Sequence, residues 1–439
     1  MKMFLMSGLA VASVSAAAAT ATIREGSVSV SQDAGRRVRV SYTLDEAPGW
    51  ITFDVLTNGV SIGGKHLASV SGDVAKKVAA GNRSFVWNPL HSWPDHIIRG
   101  GALSVKVTAW DESCPPPVLV VDLLAASNVA AYAKLEDVPG GPTDRIYKTD
   151  KLLLRKIPAG NVTYRMGSPT TEASRNQYNE KPHSVTLTKD FYLGVYEVTQ
   201  KQWYNVSSAR PSWFSNEDCW ETRPVEKVAY GWAENPSASI RASSDGGAGS
   251  WPSEDDPHQV GSKSFFGILR RHSGLDLLDL PTDAQWEYAC RAGTPGPLND
   301  GTATTDTLPT LARYRGNSGY VSGSSLAADV TSEYGTAEVG SYLPNAWGLY
   351  DMHGNVSEWV LDRFVSNLGT ESVTDPGGSE SEGNYYRCFR GGSWREPANA
   401  CRNASRVTHN DSYGYVVDAA YNYWAYHNYI GLRVCLHMP

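Results

Sequence analysis

The sequence predicts an α+β protein in which a small all-β sandwich precedes a larger, loop-rich domain. The chain has 439 residues, which is too long for one ordinary domain and suggests two or three. Between residues 22 and 110 polar and apolar side chains alternate, as they do in half-buried strands. From about residue 145 onward, short periodic segments are separated by long stretches rich in Trp, Gly and Asn. The chain therefore divides into two regions of different architecture.

Residues 1–19 have the features of a secretory signal peptide. Met1 and Lys2 make a short positive start, residues 3–14 form an apolar run too short to span a bilayer, and residues 13–19 are small. We therefore expect export to the periplasm, the extracellular space or the cell surface. An uncleaved anchor and a buried N-terminal helix are the alternatives for this segment. No later apolar run approaches about 18 residues, so no membrane span is expected.

Residues 22–112 are predicted to fold as a β-sandwich of immunoglobulin or fibronectin type. Four segments alternate with period two, at residues 28–31, 37–42, 51–55 and 103–110. Turn pairs such as Asn58-Gly59 separate them, and no strong helical stretch interrupts. Nothing in this region is typical of a catalytic site.

Residues 113–144 are predicted to link the two regions. Cys114 is followed by three prolines, which indicates a stiff break. Residues 118–124 are a candidate for one more strand, and residues 139–142 are a loop.

Two helices are predicted in the second region, residues 145–439. Thr199 with Gln202, and Thr282 with Gln285, have the spacing of capping boxes, so each pair predicts the start of a helix. Gly293 predicts the end of the second helix. Within that helix Glu287 and Arg291 are spaced as an i,i+4 ion pair on its surface.

Charge and composition exclude several classes of function. With 39 Lys+Arg against 46 Asp+Glu, the net charge of −7 argues against nucleic acid and anionic membranes as partners. Six cysteines in an exported protein allow disulfides, whereas the absence of a CxxC motif excludes a zinc ribbon or thioredoxin-type motif. The ten His residues form no HExxH motif and no tight cluster, so no His-based metal site is predicted.

Six motifs occur in order in the second region. They are RMGSP at 165–169, FYLGVYEVT at 191–199, LPTDAQWEYACRAG at 280–293, NAWGLYDMHGNVSEW at 345–359, RGGSW at 390–394 and GLR at 431–433. Together they resemble the formylglycine-generating enzyme family, also called sulfatase-modifying factors. The resemblance implies an elaborated, loop-rich C-type-lectin-like fold for residues 145–439.

The resemblance also implies an enzymatic site, but one of its key residues differs. The founding enzymes oxidise a sulfatase cysteine to formylglycine with copper and O₂, using two cysteines after the RGGS motif, and paired thiolates suit Cu(I). The first of these positions is Glu396 here, whereas Cys401 has the spacing of the second and Ser393 that of an active-site Ser. Copper is therefore not expected, and no catalytic residue is predicted unless Cys401 and Ser393 retain activity. A formylglycine-generating oxidase, or another oxidoreductase on this fold, is the alternative function.

Two structural features follow from the same resemblance. In the family a cysteine at the position of Cys290 bridges to a strand residue close to Asn403, so a Cys290–Cys401 disulfide is predicted. The family also binds a structural Ca²⁺ ion in the turn that begins at Asp351. The implied ligands are the side chains of Asp351 and Glu358 and the carbonyl groups of Gly354 and Val356, an all-oxygen set that suits Ca²⁺. A turn stabilised by backbone N–H bonds to the two carboxylates is the alternative.

The C-terminal tract, residues 408–430, has the composition of a binding surface. Rigid aromatic side chains are mixed there with Asn, Asp, His and Ser, as in antibody paratopes. The predicted ligand-binding residues are Tyr413, Tyr415, Tyr421, Tyr423, Trp424, Tyr426 and Tyr429. In the resembling fold this stretch covers the active-site groove, and some relatives are diversified there by retroelement mutagenesis. We therefore predict a secreted protein that binds a protein or glycan ligand; a Tyr-rich loop that packs on its own domain is the alternative.

Overall fold

A computed structural model describes residues 20–94, 103–216, 218–231, 238–241, 260–320, 334–377, 387–408 and 427–438. The chain separates into two compact units, residues 1–116 and 117–439. The predicted signal peptide, residues 1–19, lies outside the described residues. None of the helices in the described ranges has both the length and the apolar character needed to cross a membrane.

The first unit consists of two antiparallel sheets around one core. Its strands are β1 Thr22–Ile23, β2 Ser29–Gln32, β3 Val38–Asp45, β4 Gly49–Thr57, β5 Val60–Ser61, β6 Val70–Gly72, β7 Lys77–Val78, β8 Gly81–Trp87 and β9 Leu103–Trp110, and a short helix α1 spans Pro89–Ser92. One sheet has the order β1-β3-β8-β6 with β2 also paired to β3, and the other has β5-β4-β7 with β9 paired to β4. Alternate residues of β3 enter the core, as the period-two pattern predicts. Val40 and Phe85 meet Ile51 and Val55 there.

The second unit begins earlier than predicted. Its strands are β10 Val118–Asp122, β11 Val129–Tyr132, β12 Lys151–Ile157, β13 Val162–Met166, β14 His183–Leu187, β15 Phe191–Gly194, β16 Leu278–Asp279, β17 Ser357–Arg363, β18 Val373–Thr374, β19 Arg387–Arg390, β20 Arg406–Thr408, β21 Ile430–Gly431 and β22 Cys435–His437. Strands β10 and β11 fall within residues 113–144, yet they form the edge of the sheet β11-β10-β12-β15-β22-β16. The linker prediction is wrong for residues 118–132, because the apolar side of β10 is buried against the core of this unit.

The described residues of the second unit also form two further sheets and four α-helices. The sheets have the orders β13-β14-β18 and β20-β19-β17-β21, and the helices are α2 Gln200–Ser207, α3 Phe265–Ser273, α4 Asp283–Arg291 and α5 Leu308–Leu311. Trp286 on α4 is fully buried in a core that also contains Phe191 of β15 and Val360 of β17. Helix α4 therefore joins the six-stranded sheet to the four-stranded sheet that carries the site.

Both predicted capping boxes are present. Thr199 Oγ1 accepts from the Gln202 amide at 3.1 Å, and Gln202 Oε1 accepts from the Thr199 amide at 3.0 Å. Thr282 and Gln285 repeat this exchange at the start of α4, at 3.1 Å and 2.9 Å. Helix α4 ends in a left-handed Ala292 with φ of 45°, directly before Gly293 with φ of 89°. These local sequence signals determine the helix ends because each satisfies backbone groups that the helix itself leaves unpaired.

Candidate functional site

The site is built around the turn that leads from Asp351 into β17. Asp351, Gly354 and Asn355 have φ values of 55°, 72° and 54°, and a Cβ on Gly354 would collide with a backbone carbonyl. The Asn355 side chain donates to Glu197 Oε2 at 2.7 Å, and the Val356 amide donates to Glu197 Oε1 at 3.1 Å. Glu197 therefore holds the left-handed turn against the six-stranded sheet.

Glu358, one of the predicted calcium ligands, is saturated by hydrogen bonds from protein donors. Arg433 Nη2 donates to its Oε1 at 2.7 Å, and Arg433 Nε lies within 3.1 Å of both oxygens. Trp286 Nε1 donates to Oε2 at 2.7 Å. The pair is fully buried, so Arg433 neutralises the carboxylate inside the core. As placed in the structure, Glu358 does not fit the predicted role, since four hydrogen bonds from three donor groups already occupy its oxygens.

Asp351, the other side-chain ligand, does fit a cation. Its Oδ2 accepts from the Gly340 amide at 2.6 Å, whereas its Oδ1 is buried without a hydrogen-bond partner. Burial raises the pKa of Asp351 to about 6. Burial, followed by the charges of Asp351 and Glu358, raises the pKa of Glu197 well above its usual value. Within the described ranges no group of three His, Cys, Asp or Glu side chains is placed to hold a metal. Calcium thus remains a prediction that rests on Asp351 and the predicted carbonyls of Gly354 and Val356.

The residues at the family's catalytic positions lie together in the core. Burial raises the pKa of the Glu396 carboxyl, and the nearby Ser393 and Ser357 hydroxyls offset this only in part. Glu396 Oε2 and both hydroxyl oxygens are buried without a hydrogen bond of normal geometry. Burial, reinforced by the charge of Glu396, raises the pKa of the Cys401 thiol far above its usual value. The cluster therefore holds one protonated thiol beside a carboxyl group.

The predicted Cys290–Cys401 disulfide is not formed, and both thiols are free. Cys290 Sγ donates to Asn403 Oδ1 at 3.0 Å. Cys401 instead packs in a separate apolar cluster with Leu298 and Leu311. The prediction is wrong because it placed Cys401 on a strand face. Cys401 caps a 3-10 helix over 398–400, and strand β20 begins only at Arg406.

Only the end of the Tyr-rich tract falls within the described residues. Tyr413, Tyr415, Tyr421, Tyr423, Trp424 and Tyr426 lie outside them. Tyr429 is half-buried and stacks on His427 with ring centroids 4.7 Å apart, and the Arg395 guanidinium lies 4.6 Å from its ring centre. The Trp394 indole donates to Asn428 O at 2.8 Å, and the Ser357 amide donates to Tyr429 O at 2.8 Å. These hydrogen bonds from Trp394 and Ser357 therefore hold the end of the tract next to the group formed by Ser393, Glu396 and Cys401.

An exposed tryptophan, which sequence reasoning missed, lies beside this anchor. Trp213 is 40% exposed, and Lys227 Nζ lies 5.4 Å from its ring centre. The Lys227 amide donates to His427 O at 3.2 Å, which joins this pair to the end of the tract. We refer to Trp213, Lys227, Arg395, His427 and Tyr429 as the anchor surface.

Sequence reasoning also did not identify Glu197 and Arg433 as residues of the site, although both lie within the six motifs. For Glu197 the available signal was its position: it lies three residues after the end of the buried strand β15 and two before the capping residue Thr199, and a charged residue in a buried run needs a partner.

Comparisons with known proteins agree with the motifs. Residues 148–414 match the family model described as "Sulfatase-modifying factor enzyme 1-like domain". The chain is 30% identical over 233 residues to the chaperone protein LppX of Paenibacillus barcinonensis, which covers 52% of this chain and 76% of that protein. It is 40% identical over 118 residues to the formylglycine-generating enzyme of Streptomyces coelicolor, covering 26% of this chain and only 35% of that enzyme.

A solved structure, that of Treponema denticola variable protein 1, is also similar. It has 24% sequence identity and a TM-score of 0.46, with 66% of this chain and 96% of that chain covered. The family match spans more than half of the chain and includes five of the six motifs in full. The chain belongs to the sulfatase-modifying factor family.

Proposed function

We propose that this protein is an exported, non-catalytic ligand-binding member of its family, and that it binds a protein or glycan through the Tyr-rich tract and the anchor surface. The observation that carries the proposal is the substitution at the family's catalytic position. Glu396 occupies the place of a copper-binding thiol, and the remaining thiol, Cys401, is buried with a raised pKa.

These residues do not fit a Cu(I) pair. Cu(I) requires soft ligands in their deprotonated form, and a carboxylate is a hard ligand. The same burial that keeps Cys401 protonated also removes its nucleophilic character. Glu396 lies beside the Ser393 hydroxyl, but neither Ser393 Oγ nor Glu396 Oε2 makes a hydrogen bond of normal geometry in the described ranges, so no aligned pair activates the hydroxyl. The geometry therefore favours binding over the alternative, an oxidase acting on a sulfatase cysteine.

The anchor surface has the chemistry of a recognition site. It combines the exposed Trp213 ring with two cations, Lys227 and Arg395, each held against an aromatic face. Burial and the charge of Arg395 lower the pKa of His427 to about 4, so that this ring is neutral at physiological pH. Amphipathic rings with nearby cations form rigid contact points for acidic and π-rich groups. His427 and Tyr429 of the anchor surface belong to the tract itself, so the two are proposed to form one binding surface.

The remaining predictions complete the proposal. A structural Ca²⁺ ion would be held at the turn through Asp351 and the carbonyls of Gly354 and Val356. The first unit, as an immunoglobulin- or fibronectin-type domain, would act as a spacer or surface adaptor. The signal peptide would direct the protein out of the cytoplasm. Retroelement diversification of the tract would be supported by a neighbouring reverse transcriptase gene with a template repeat that matches the last 40 or so codons.

The test compares two matched surface variants of the full chain on a glycan and protein array. Trp213→Ala is expected to reduce binding of the captured ligand by about tenfold, the usual effect of removing an aromatic anchor. Tyr204→Ala is the control, because Tyr204 is equally exposed, at 41% against 40% for Trp213, and lies on α2 outside the anchor surface. Equal binding by the two variants would contradict the assigned surface. Bound copper after purification, or aldehyde formation on a Cys-x-Pro-x-Arg peptide, would overturn the non-catalytic assignment.

A further inference from the structure

A cavity lies beside the start of helix α4, and no residue of the anchor surface is among its lining residues. Its volume is about 460 Å³, within the range of about 300–1,000 Å³ that is typical of small-molecule sites. It is bordered by β13, β14, α4, the end of β17 and β18. Apolar side chains form most of its wall, namely Met166, Val365, Leu368 and Val373. Four buried polar or charged side chains also line it: Asp362, His183 and the ion-paired Asp283 and Arg406.

Asp362 is a buried acid without an ion pair. It is 3% exposed, and its Oδ2 accepts from the Asp283 amide at 2.6 Å. Its other oxygen accepts no hydrogen bond within the described ranges, nor does Asp362 take part in any ion pair there. Burial, followed by the charge of Asp283, raises the pKa of Asp362 to about 8. A buried carboxyl left in this state destabilises the fold, so it needs an explanation.

The two neighbouring guanidinium groups are committed elsewhere. Arg390 bonds to Asp283 Oδ1 and to Glu287 Oε2 at 2.5 Å. Arg406 Nε donates to Asp283 Oδ2 at 2.7 Å, and its Nη1 donates to the Val365 carbonyl at 2.7 Å. Because both arginines are held by Asp283, neither can turn to Asp362 without breaking a closed ion pair. The acid therefore remains available to a group inside the cavity.

His183 offers a second acceptor. Its ring is 4% exposed, and Nδ1 lies 2.9 Å from the Lys181 carbonyl. A carbonyl oxygen only accepts, so Nδ1 donates this hydrogen bond, and in the Nδ1–H tautomer Nε2 is an acceptor. No hydrogen bond in the described part of the chain occupies Nε2. The cavity thus presents acceptors at its polar end and hydrocarbon along its walls.

We propose that this cavity binds a primary amine with a short apolar chain, whose ammonium group donates to Asp362 and His183. An ammonium group has three donors and no acceptor, and its charge would supply the counter-ion that Asp362 lacks, so that binding favours the ionised form of this carboxyl. An apolar chain of a few carbons would cover Leu368 and Val373, and burial of each CH₂ contributes about 0.8 kcal/mol. An alcohol ligand would supply only one donor and no positive charge. A carboxylate ligand would supply no donor and would face the two acceptors, Asp362 and His183.

The experiment titrates butylammonium chloride into the full chain at pH 9, where Asp362 is ionised, with sodium butyrate and butanol as matched ligands, and follows ligand line-broadening by NMR. Butylammonium is expected to bind, and butyrate is not. Asp362→Asn keeps an oxygen for the Asp283 amide but removes the charge, and is expected to weaken butylammonium binding by at least about tenfold. Glu371→Gln, an exposed acid on the loop before β18, is the control and should bind as the unaltered chain does.

A second variant distinguishes loss of binding at the cavity from loss of folding. Leu368→Trp fills the apolar end from a half-buried loop position and should abolish binding while circular dichroism stays unchanged. Failure of butylammonium to bind the unaltered chain would overturn the proposal, as would equal binding by Asp362→Asn or equal binding of butyrate. Trp213→Ala must leave butylammonium binding unchanged, because the anchor surface is separate; loss of binding in that variant would also contradict the proposal.

Discussion

Glu226 is expected to lower the stability of the fold as the pH rises, and the isosteric substitution Glu226→Gln should remove this effect. This side chain is fully buried beneath the Trp213 loop, where its Oε1 accepts from the Phe214 amide at 2.8 Å. Its Oε2 is buried without a hydrogen-bond partner. Burial raises the pKa of Glu226 to about 8, and the bonds from Phe214 and Trp213 and the charge of Lys227 offset this only in part.

The sign of the effect follows from proton linkage. Between about pH 4.5 and pH 8, Glu226 is protonated in the folded chain and ionised in the unfolded chain. The folded state then binds more protons, so its stability falls as the pH rises, by about 1.4 kcal/mol per pH unit. Summed over this window, the loss contributed by Glu226 is on the order of 5 kcal/mol. Below pH 4.5 the group contributes no such loss.

The assay compares Glu226→Gln with the unaltered chain by urea unfolding at pH 4.5, 6, 7 and 8. Gln keeps the acceptor for the Phe214 amide and cannot ionise. Its stability advantage should therefore be close to zero at pH 4.5 and should grow to several kcal/mol at pH 8. Glu371→Gln, an exposed acid, should show no such trend. A difference that is constant across the four pH values, or one that shrinks as the pH rises, would refute the reasoning.

Three other predictions follow from single contacts. Arg433→Met leaves Glu358 ionised and unpaired in the core, so unfolding experiments should show a loss of about 3–5 kcal/mol. Gly392→Ala should cost about 2–4 kcal/mol, because φ is 70° and a Cβ would collide with Cys401; Gly369→Ala, with φ of 72° and open space, should cost only about 1 kcal/mol. Alkylation of the unfolded, non-reduced chain should modify Cys290 and Cys401 as free thiols; a Cys290–Cys401 peptide pair in the mass map would show that the structure has the pairing wrong.

The elements that sequence reasoning predicted well are those with local causes. Thr199 and Thr282 cap their helices through residues three positions away, so the pattern and the interaction lie in the same stretch of chain. The alternation of apolar and polar residues along β3 likewise reflects the buried and exposed faces of a single strand. The linker prediction failed for β10, because a short apolar run does not reveal which sheet it will join.

The site depended on contacts between distant parts of the chain. Glu287 and Arg291 were predicted as a surface pair of one helix, and they do bond to each other, but in the core, where Arg390 also bonds to Glu287. The family resemblance implied that Cys401 lies on a strand beside Cys290, whereas the 3-10 turn before Cys401 directs its thiol into another cluster.

The sequence by itself determined the family, the helix starts and the absence of a thiol at Glu396, because motif order, capping and residue identity are properties of the chain as written. Only the tertiary structure decided which charges meet. Arg433 saturates Glu358, whereas Asp362 keeps no ion pair in the described part of the chain. The physical reason is that a buried charge must be stabilised by a partner close to it. That partner is determined by packing between elements that are distant in the chain, as for Arg433 and Glu358, which are 75 residues apart.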